Sequence, residues 1–87
     1  MLLTVIESPD VTGALEVASK RYTRTWDAWH ALTWVLVRTP GIGLMMSGTP
    51  PPWYLYKQDP NASDAPGFVV TYSYDSCALT IHGVKVC

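Results

Sequence analysis

Hydrophobic and polar residues recur at two different periods along this chain, and these periods predict its helices and strands. Residues 2–8, "LLTVIES", form a short, β-branched apolar run that is typical of a strand buried on both faces. Ser8 is a favourable helix cap and Pro9 suits a first helical position, so we expect a helix over residues 9–22. Its apolar positions fall on one stripe: Val11, Leu15, Ala18 and Tyr22.

A second helix is predicted between a cap at Thr25 and the terminating pair Pro40-Gly41. The run "TWVLV" inside it is on its own also typical of a strand. Its continuation from Trp26 at a period of about 3.6 residues favours a helix. The predicted buried face comprises Trp26, Trp29, Leu32, Thr33 and Leu36.

Turn-forming residues divide the second half of the chain. Residues 41–52 and 59–67 are rich in glycine, proline and small polar residues, so both are predicted loops. Asp75-Ser76 supplies a tight turn further on. Three strands are predicted between these features: residues 53–58, 68–74 and 78–86.

Side-chain alternation assigns the strand residues to two faces. In residues 53–58, Tyr54 and Tyr56 share one face, and Trp53, Leu55 and Lys57 share the other. The last strand is expected to divide into Leu79, Ile81 and Gly83 on one side and Thr80, His82, Val84 and Val86 on the other.

The predicted order of elements is therefore β-α-α-β-β-β, in one domain over residues 1–87. The cheapest way to cover the apolar side of such a sheet is to pack both helices on it. We predict an α+β fold with a four-stranded, mostly antiparallel sheet and two helices on one face. Hydrophobic residues make up 48% of this short chain, and a second copy could supply further burial, so a homodimer is a candidate assembly.

Charge and cysteine content narrow the function classes. The net charge is −1, which argues against a domain that holds nucleic acid by neutralising phosphates. The first residues lack the features of a signal peptide and no run is long enough for a membrane helix, so we expect a cytoplasmic protein without membrane contact. Cys77 and Cys87 are then free thiols, and the sequence predicts no metal site and no cofactor.

Several residues have two competing interpretations. Tyr54 and Tyr56, joined by Tyr72 and Tyr74, form either a face that stacks a flat ligand or part of the core under the helices. Asp27 precedes His30 by one helical turn and either orients its imidazole or makes an ordinary surface pair. Two further segments carry weak motifs: the triplet Pro50 to Pro52, as a docking motif or a strand entrance, and Asn61 to Ser63, as a glycosylation acceptor.

The order and spacing of several local phrases resemble the RelE/ParE superfamily of toxins from toxin–antitoxin pairs. These phrases are "ESPD" after the first strand, "RTPGIG" after the second helix, a glycine in "MSG", and the hairpin "GFVVTYSYDSCALTIHGVKV". The resemblance covers nearly the whole chain. It implies a small antitoxin-like partner and a target that is either messenger RNA on the ribosome, which is cleaved, or gyrase.

The resemblance also implies roles for three residues. Lys57 would hold phosphate, His82 would transfer a proton, and Lys85 would stabilise developing negative charge. The third of the four predicted strands carries no arginine. This leaves open a non-catalytic relative of the same fold that binds a protein or small molecule through its sheet face, so the sequence does not decide whether the protein is an enzyme.

Overall fold

The computed structural model describes residues 3–46, 52–60 and 66–86 of the chain. The elements follow each other as β1 (Thr4–Glu7), α1 (Pro9–Ser19), α2 (Thr25–Arg38), a short 3-10 turn (Pro40–Ile42), β2 (Leu44–Met45), β3 (Tyr54–Gln58), β4 (Phe68–Tyr74) and β5 (Ala78–Val86). The α+β class and both helices are confirmed.

The strands form one five-stranded sheet in the order β1-β5-β4-β3-β2. β1 is parallel to β5, because the chain crosses over through α1 and α2 between them, and the remaining pairs are antiparallel. The predicted strand number was therefore wrong: β2 lies inside the predicted loop 41–52. It spans only two residues, which is too short to show an alternating pattern.

The helices pack through the predicted stripes, with differences at their ends. α1 begins with Val11 N–H donating to the Ser8 hydroxyl at 3.4 Å and ends at Ser19, three residues before the predicted Tyr22. In α2, Trp26 is exposed and not buried as expected. Thr25 takes the inward position in the first turn, where its hydroxyl donates to the Tyr22 carbonyl at 2.8 Å.

Trp29 anchors α2 to the sheet. It is only 1% exposed, and its ring meets Phe68 edge to face at 5.4 Å between centroids. Its indole N–H donates to the Glu7 carboxylate at 3.1 Å, which satisfies the polar atom of a buried side chain. The rest of the core joins α1, α2, β4 and β5: Val11, Leu15, Leu32, Leu36, Val70, Tyr72, Leu79 and Ile81.

The sheet therefore has two different faces. The covered face, which the helices pack against, includes Phe68, Val70 and Tyr72 of β4 with their partners Val86, Val84 and Ile81 of β5. The uncovered face is the opposite side of the sheet, which carries no helix of the described chain. Its residues are Ile6 on β1, Leu44 and Met46 at β2, Trp53, Leu55 and Lys57 at β3, Val69, Thr71 and Ser73 on β4, and Thr80, His82, Gly83 and Lys85 on β5.

A β-bulge corrects the predicted alternation in β5. Thr71 pairs with Gly83 and Tyr72 pairs with Ile81, so His82 is the extra residue between them. Beyond the bulge the faces exchange, and Val84 packs against the core instead of sharing a face with His82. The same exchange brings Lys85 to the face that carries His82, where strict alternation would place it on the other side.

Some of the predicted features lie outside the described residues. These are Pro50 and Pro51 of the proline triplet, the acceptor motif at Asn61 to Ser63, and Cys87.

The turn at Asp75-Ser76 is confirmed, because the Asp75 carboxylate accepts the N–H groups of Cys77 and Ala78 at 2.7 and 2.8 Å. These two bonds lower the pKa of Asp75, the Cys77 N–H contributing most. Neither described helix has the length and hydropathy to cross a membrane.

Candidate binding surface on the uncovered sheet face

Two lysines stand at the same level of the uncovered face. Lys57 pairs with Val69 across β3 and β4, and Val69 pairs with Lys85 across β4 and β5. Both lysines are exposed. Neighbouring strands lie about 4.8 Å apart, so the two Cα atoms are about 10 Å apart across one intervening strand. Flexible side chains of this length can reach one anionic group above Val69.

A cluster of Trp53, His82 and Ser73 lies further along the same face. The rings of Trp53 and His82 stack with centroids 3.9 Å apart and planes 3° from parallel. His82 Nε2 lies 2.7 Å from the Ser73 hydroxyl, which is buried. These two contacts fix both the plane and the rotation of the imidazole.

Burial lowers the pKa of His82 below its usual value, because the charged form loses hydration against Trp53 and the sheet. The imidazole is therefore neutral at neutral pH. A neutral imidazole can accept a proton, provided that the ring nitrogen that is not bonded to Ser73 reaches the donor.

Large apolar side chains are exposed on the uncovered face. Leu44 is 71% exposed, Met46 55%, Ile6 49% and Trp53 43%. Isolated apolar residues are ordinary on protein surfaces, but these share one side of one sheet. Leu44 and Leu55 form a cross-strand pair, so the apolar area is continuous from the β2 edge towards the Trp53 ring.

The charge of this face differs from that of the whole chain. Of the described acidic residues, Asp59 lies nearest to its lysines: its carboxylate is 3.9 Å from Lys57 Nζ, at the end of β3. Both side chains are mostly exposed, so the pair is weak and Lys57 is not held by it. The uncovered face therefore carries an apolar area at its β2 and β3 edge and positive charge at the end where Lys57 and Lys85 lie.

The four tyrosines proposed as ligand contacts lie on the other face. Tyr72 is fully buried, and Tyr54, Tyr56 and Tyr74 pack partly buried against the core. Tyr54 stacks on Tyr72 at 5.6 Å between centroids. A hydrogen bond with Tyr74 raises the pKa of Tyr54, and burial raises the pKa of Tyr72.

The Tyr72 hydroxyl has a structural partner on each side. It donates to the Pro40 carbonyl at 2.7 Å and accepts the Gly43 N–H at 3.0 Å, so it ties the 3-10 turn to the sheet. A Cβ at Gly43 would lie 2.6 Å from this hydroxyl and 2.9 Å from the Leu55 carbonyl, so only glycine fits there. Tyr72 thus holds the loop that follows α2.

Asp27 and His30 are not brought together in a catalytic arrangement. The Asp27 carboxylate lies 3.9 Å from Arg24 Nε, and both side chains are largely exposed. The His30 ring lies beside Trp26 with centroids 6.5 Å apart. The described residues contain no cluster of three His, Cys, Asp or Glu side chains that could hold a metal ion.

Comparison of the chain with protein-family models, with curated proteins and with solved structures finds no match. We therefore infer a function from the residues of the uncovered face.

Proposed function

We propose that this protein is a RelE/ParE-like toxin component whose uncovered sheet face engages an RNA strand. The observation that carries the proposal is the position of Lys57, His82 and Lys85 on that one face. Lys57 and Lys85 would hold a phosphate above Val69. Further along the strand, beside Ser73, neutral His82 would accept the proton of a ribose 2′-hydroxyl as that oxygen attacks the adjacent phosphate, and the 5′-oxygen would leave with a proton from solvent.

The exposed ring of Trp53 supports an RNA ligand over a simple anion. One side of this ring is occupied by His82, and 43% of the residue is exposed. Aromatic side chains at a sheet surface stack bases, and such a contact contributes about 1–3 kcal/mol per base. A base on Trp53 and a phosphate between the lysines would place one strand of RNA along β3 and β4.

The net negative charge of the chain does not exclude RNA binding by the uncovered face, because several of the acidic residues lie elsewhere. Glu7 accepts the Trp29 indole N–H beside the core, Asp27 lies on α2, and Asp75 caps the turn after β4. The chain average therefore understates the positive charge above Val69. Two lysines still provide only a weak phosphate-binding field, so we expect modest affinity that falls with added salt.

Induced expression in bacteria tests the proposal. We expect the wild type to arrest growth, with new 5′ ends in messenger RNA mapped by primer extension. Lys57→Ala with Lys85→Ala, and separately His82→Gln, should relieve both effects at equal soluble level. The matched control is Lys20→Ala with Arg38→Ala, which removes the same charge from the helices and should leave the arrest unchanged.

Three results would contradict the proposal. Normal growth with abundant folded wild-type protein would exclude an active toxin. Arrest with intact messenger RNA and inhibited gyrase would assign the other target that the resemblance implies. Equal relief by the matched control would show that total charge, and not the uncovered face, is responsible.

The exposed apolar residues favour a second candidate, a non-catalytic module that binds a protein through the same face. Leu44 and Met46 are exposed at the sheet edge, and the RNA proposal gives them no role. Burial of apolar area at about 25 cal/mol per Å² would make such residues useful in a protein interface.

Light scattering over a range of concentrations tests the simplest form of this candidate, a homodimer. Leu44→Glu with Met46→Glu should abolish dimers if the uncovered face is the interface. Val17→Glu on α1, which changes a similarly exposed apolar residue, should not. A monomeric wild type at all concentrations would exclude the homodimer.

A further inference from the structure

Within the described part of the chain, one edge of β5 has no partner strand over its second half. β1 pairs with β5 from Ala78 to Ile81, and this pairing ends at Glu7, where the chain turns into α1. Beyond the bulge, residues 83–86 pair with β4 on one side only, and no other described strand reaches their second side. Alternate backbone N–H and C=O groups of this segment therefore point towards an open space in line with β1.

That space is a groove of about 480 Å³ between α1 and the free edge. Its α1 wall is made of short side chains, since Ala14 and Ala18 leave room that larger residues would fill. Val17 stands at its rim, 69% exposed. The floor is formed by residues 84–86 of β5. The groove is thus open, mostly apolar and bordered by unpaired backbone, which are the features that an added strand requires.

The charged side chains that line the groove are positive among the described residues. They are Arg21, just beyond the end of α1, and Lys85 on β5, and no described acidic residue lines it. Arg21 lies over the Tyr22 ring at 5.6 Å, which holds the guanidinium beside the opening. A lysine on a free edge also opposes pairing with an uncharged strand, so an occupant must carry compensating carboxylates.

We propose that an extended acidic peptide segment of a partner protein adds to the sheet beside residues 83–86 of β5. Its backbone pairs with the free edge, one apolar side chain enters the groove between Ala14 and Ala18, and a flanking carboxylate meets Arg21. The site is separate from the proposed RNA surface except for Lys85. A substitution at Arg21 therefore tests the groove without changing the proposed RNA surface.

A peptide titration followed by NMR tests this proposal on the full chain. The probe is a synthetic peptide of alternating valine and glutamate, and the amide signals of residues 83–86 report the new pairing. We expect these signals to shift and their hydrogen exchange to slow. Arg21→Glu should weaken binding by about fivefold, as expected for one partly exposed charge pair. Arg38→Glu makes the same charge change away from the groove and should leave binding unchanged.

Two control peptides make the result specific. The same peptide with alternate backbone amides methylated cannot pair with an edge and should not bind. A valine–lysine peptide should not bind the wild type but should bind Arg21→Glu with Lys85→Glu. No shift at residues 83–86 with about 1 mM peptide would overturn the proposal, since even weak strand addition is populated there. Binding that survives methylation, or self-association that displaces the peptide, would also overturn it.

Discussion

Two tryptophans on opposite sides of the sheet have opposite roles. Trp29 of α2, which packs on the covered face, is 1% exposed, meets Phe68 edge to face and has its indole N–H bonded to Glu7. On the uncovered face Trp53 is 43% exposed and lies flat on His82. The Trp29 ring is packed on all sides, and its indole N–H has a hydrogen-bond partner within the chain. The Trp53 ring has one face packed on His82, and the rest of the side chain is partly exposed to solvent.

This difference separates residues that stabilise the fold from residues that are free to bind. The covered face uses the Tyr72 hydroxyl to hold the 3-10 turn, so this buried polar group is already paired. The uncovered face retains exposed lysines and exposed apolar groups at the same time. A solvent-exposed sheet face that serves only the fold is usually polar, and this combination is the reason for proposing a binding surface there.

Alanine at the two tryptophans should give the largest contrast. Trp29→Ala removes a fully buried ring and should lower the free energy of unfolding by about 3–5 kcal/mol, a large share of the stability of a small domain. Trp53→Ala should lower it by only about 1 kcal/mol, since one stacked contact is lost. Urea unfolding followed by circular dichroism measures both. Equal losses would contradict the division of roles.

Removing one hydroxyl on the covered face should have the next largest effect. Tyr72→Phe keeps the buried ring but leaves the Pro40 carbonyl and the Gly43 N–H without their partner. We expect a loss of about 1–3 kcal/mol in urea unfolding. Tyr56→Phe is the matched control and should change stability less, because Tyr56 is only partly buried. A loss at Tyr56 as large as at Tyr72 would show that the hydroxyl bonds to the turn are unimportant.

The pH dependence of stability should report the environment of His82. Its pKa is lower in the folded chain than the usual 6.5, so between the two values the unfolded chain binds more protons. The contribution of His82 to the free energy of unfolding should be fully present above its pKa in the unfolded chain. It should decrease as the pH falls below that value and through its pKa in the folded chain. Thermal unfolding of the wild type and His82→Gln from neutral to mildly acidic pH measures this. The His82→Gln variant should lose less stability than the wild type over this pH range. An equal loss in both proteins would show that other groups cause the pH dependence.

The smallest effect on stability is expected at Leu44. It is 71% exposed on the edge strand β2, so Leu44→Ser should change the free energy of unfolding by no more than about 0.5 kcal/mol. The same change at the fully buried Leu36 should be severe. Urea unfolding of both variants checks this. A large loss at Leu44 would mean that the apolar edge serves the fold and not a partner.

Helical periodicity was sufficient to predict α1 and the body of α2, because apolar stripes follow directly from burial on one side. Alternation likewise placed Lys57 opposite Tyr56 correctly. The strand β2 could not be predicted from the sequence, because two residues are too few to show an alternation of hydrophobic and polar positions. The bulge at His82 had one available signal, the isolated Gly83 inside a strand pattern.

Missing that bulge matters most for the candidate site. Without it, alternation puts Lys85 and His82 on opposite faces, and the lysine pair across Val69 does not form. The register between three strands depends on long-range packing, which local sequence patterns do not contain. The candidate residues could thus be named from the sequence, but their common face required the structure.

The most direct measurement is an NMR titration of the indole N–H signals with a short single-stranded RNA. Trp53 lies on the uncovered face, Trp29 of α2 is buried against the covered face, and Trp26 and Trp34 are exposed on α2. The account predicts that the Trp53 signal shifts while the other signals stay, and that Lys57→Ala with Lys85→Ala weakens the effect. A Trp53 signal that does not move, or equal shifts of Trp26 and Trp34, would contradict a working surface on the uncovered face.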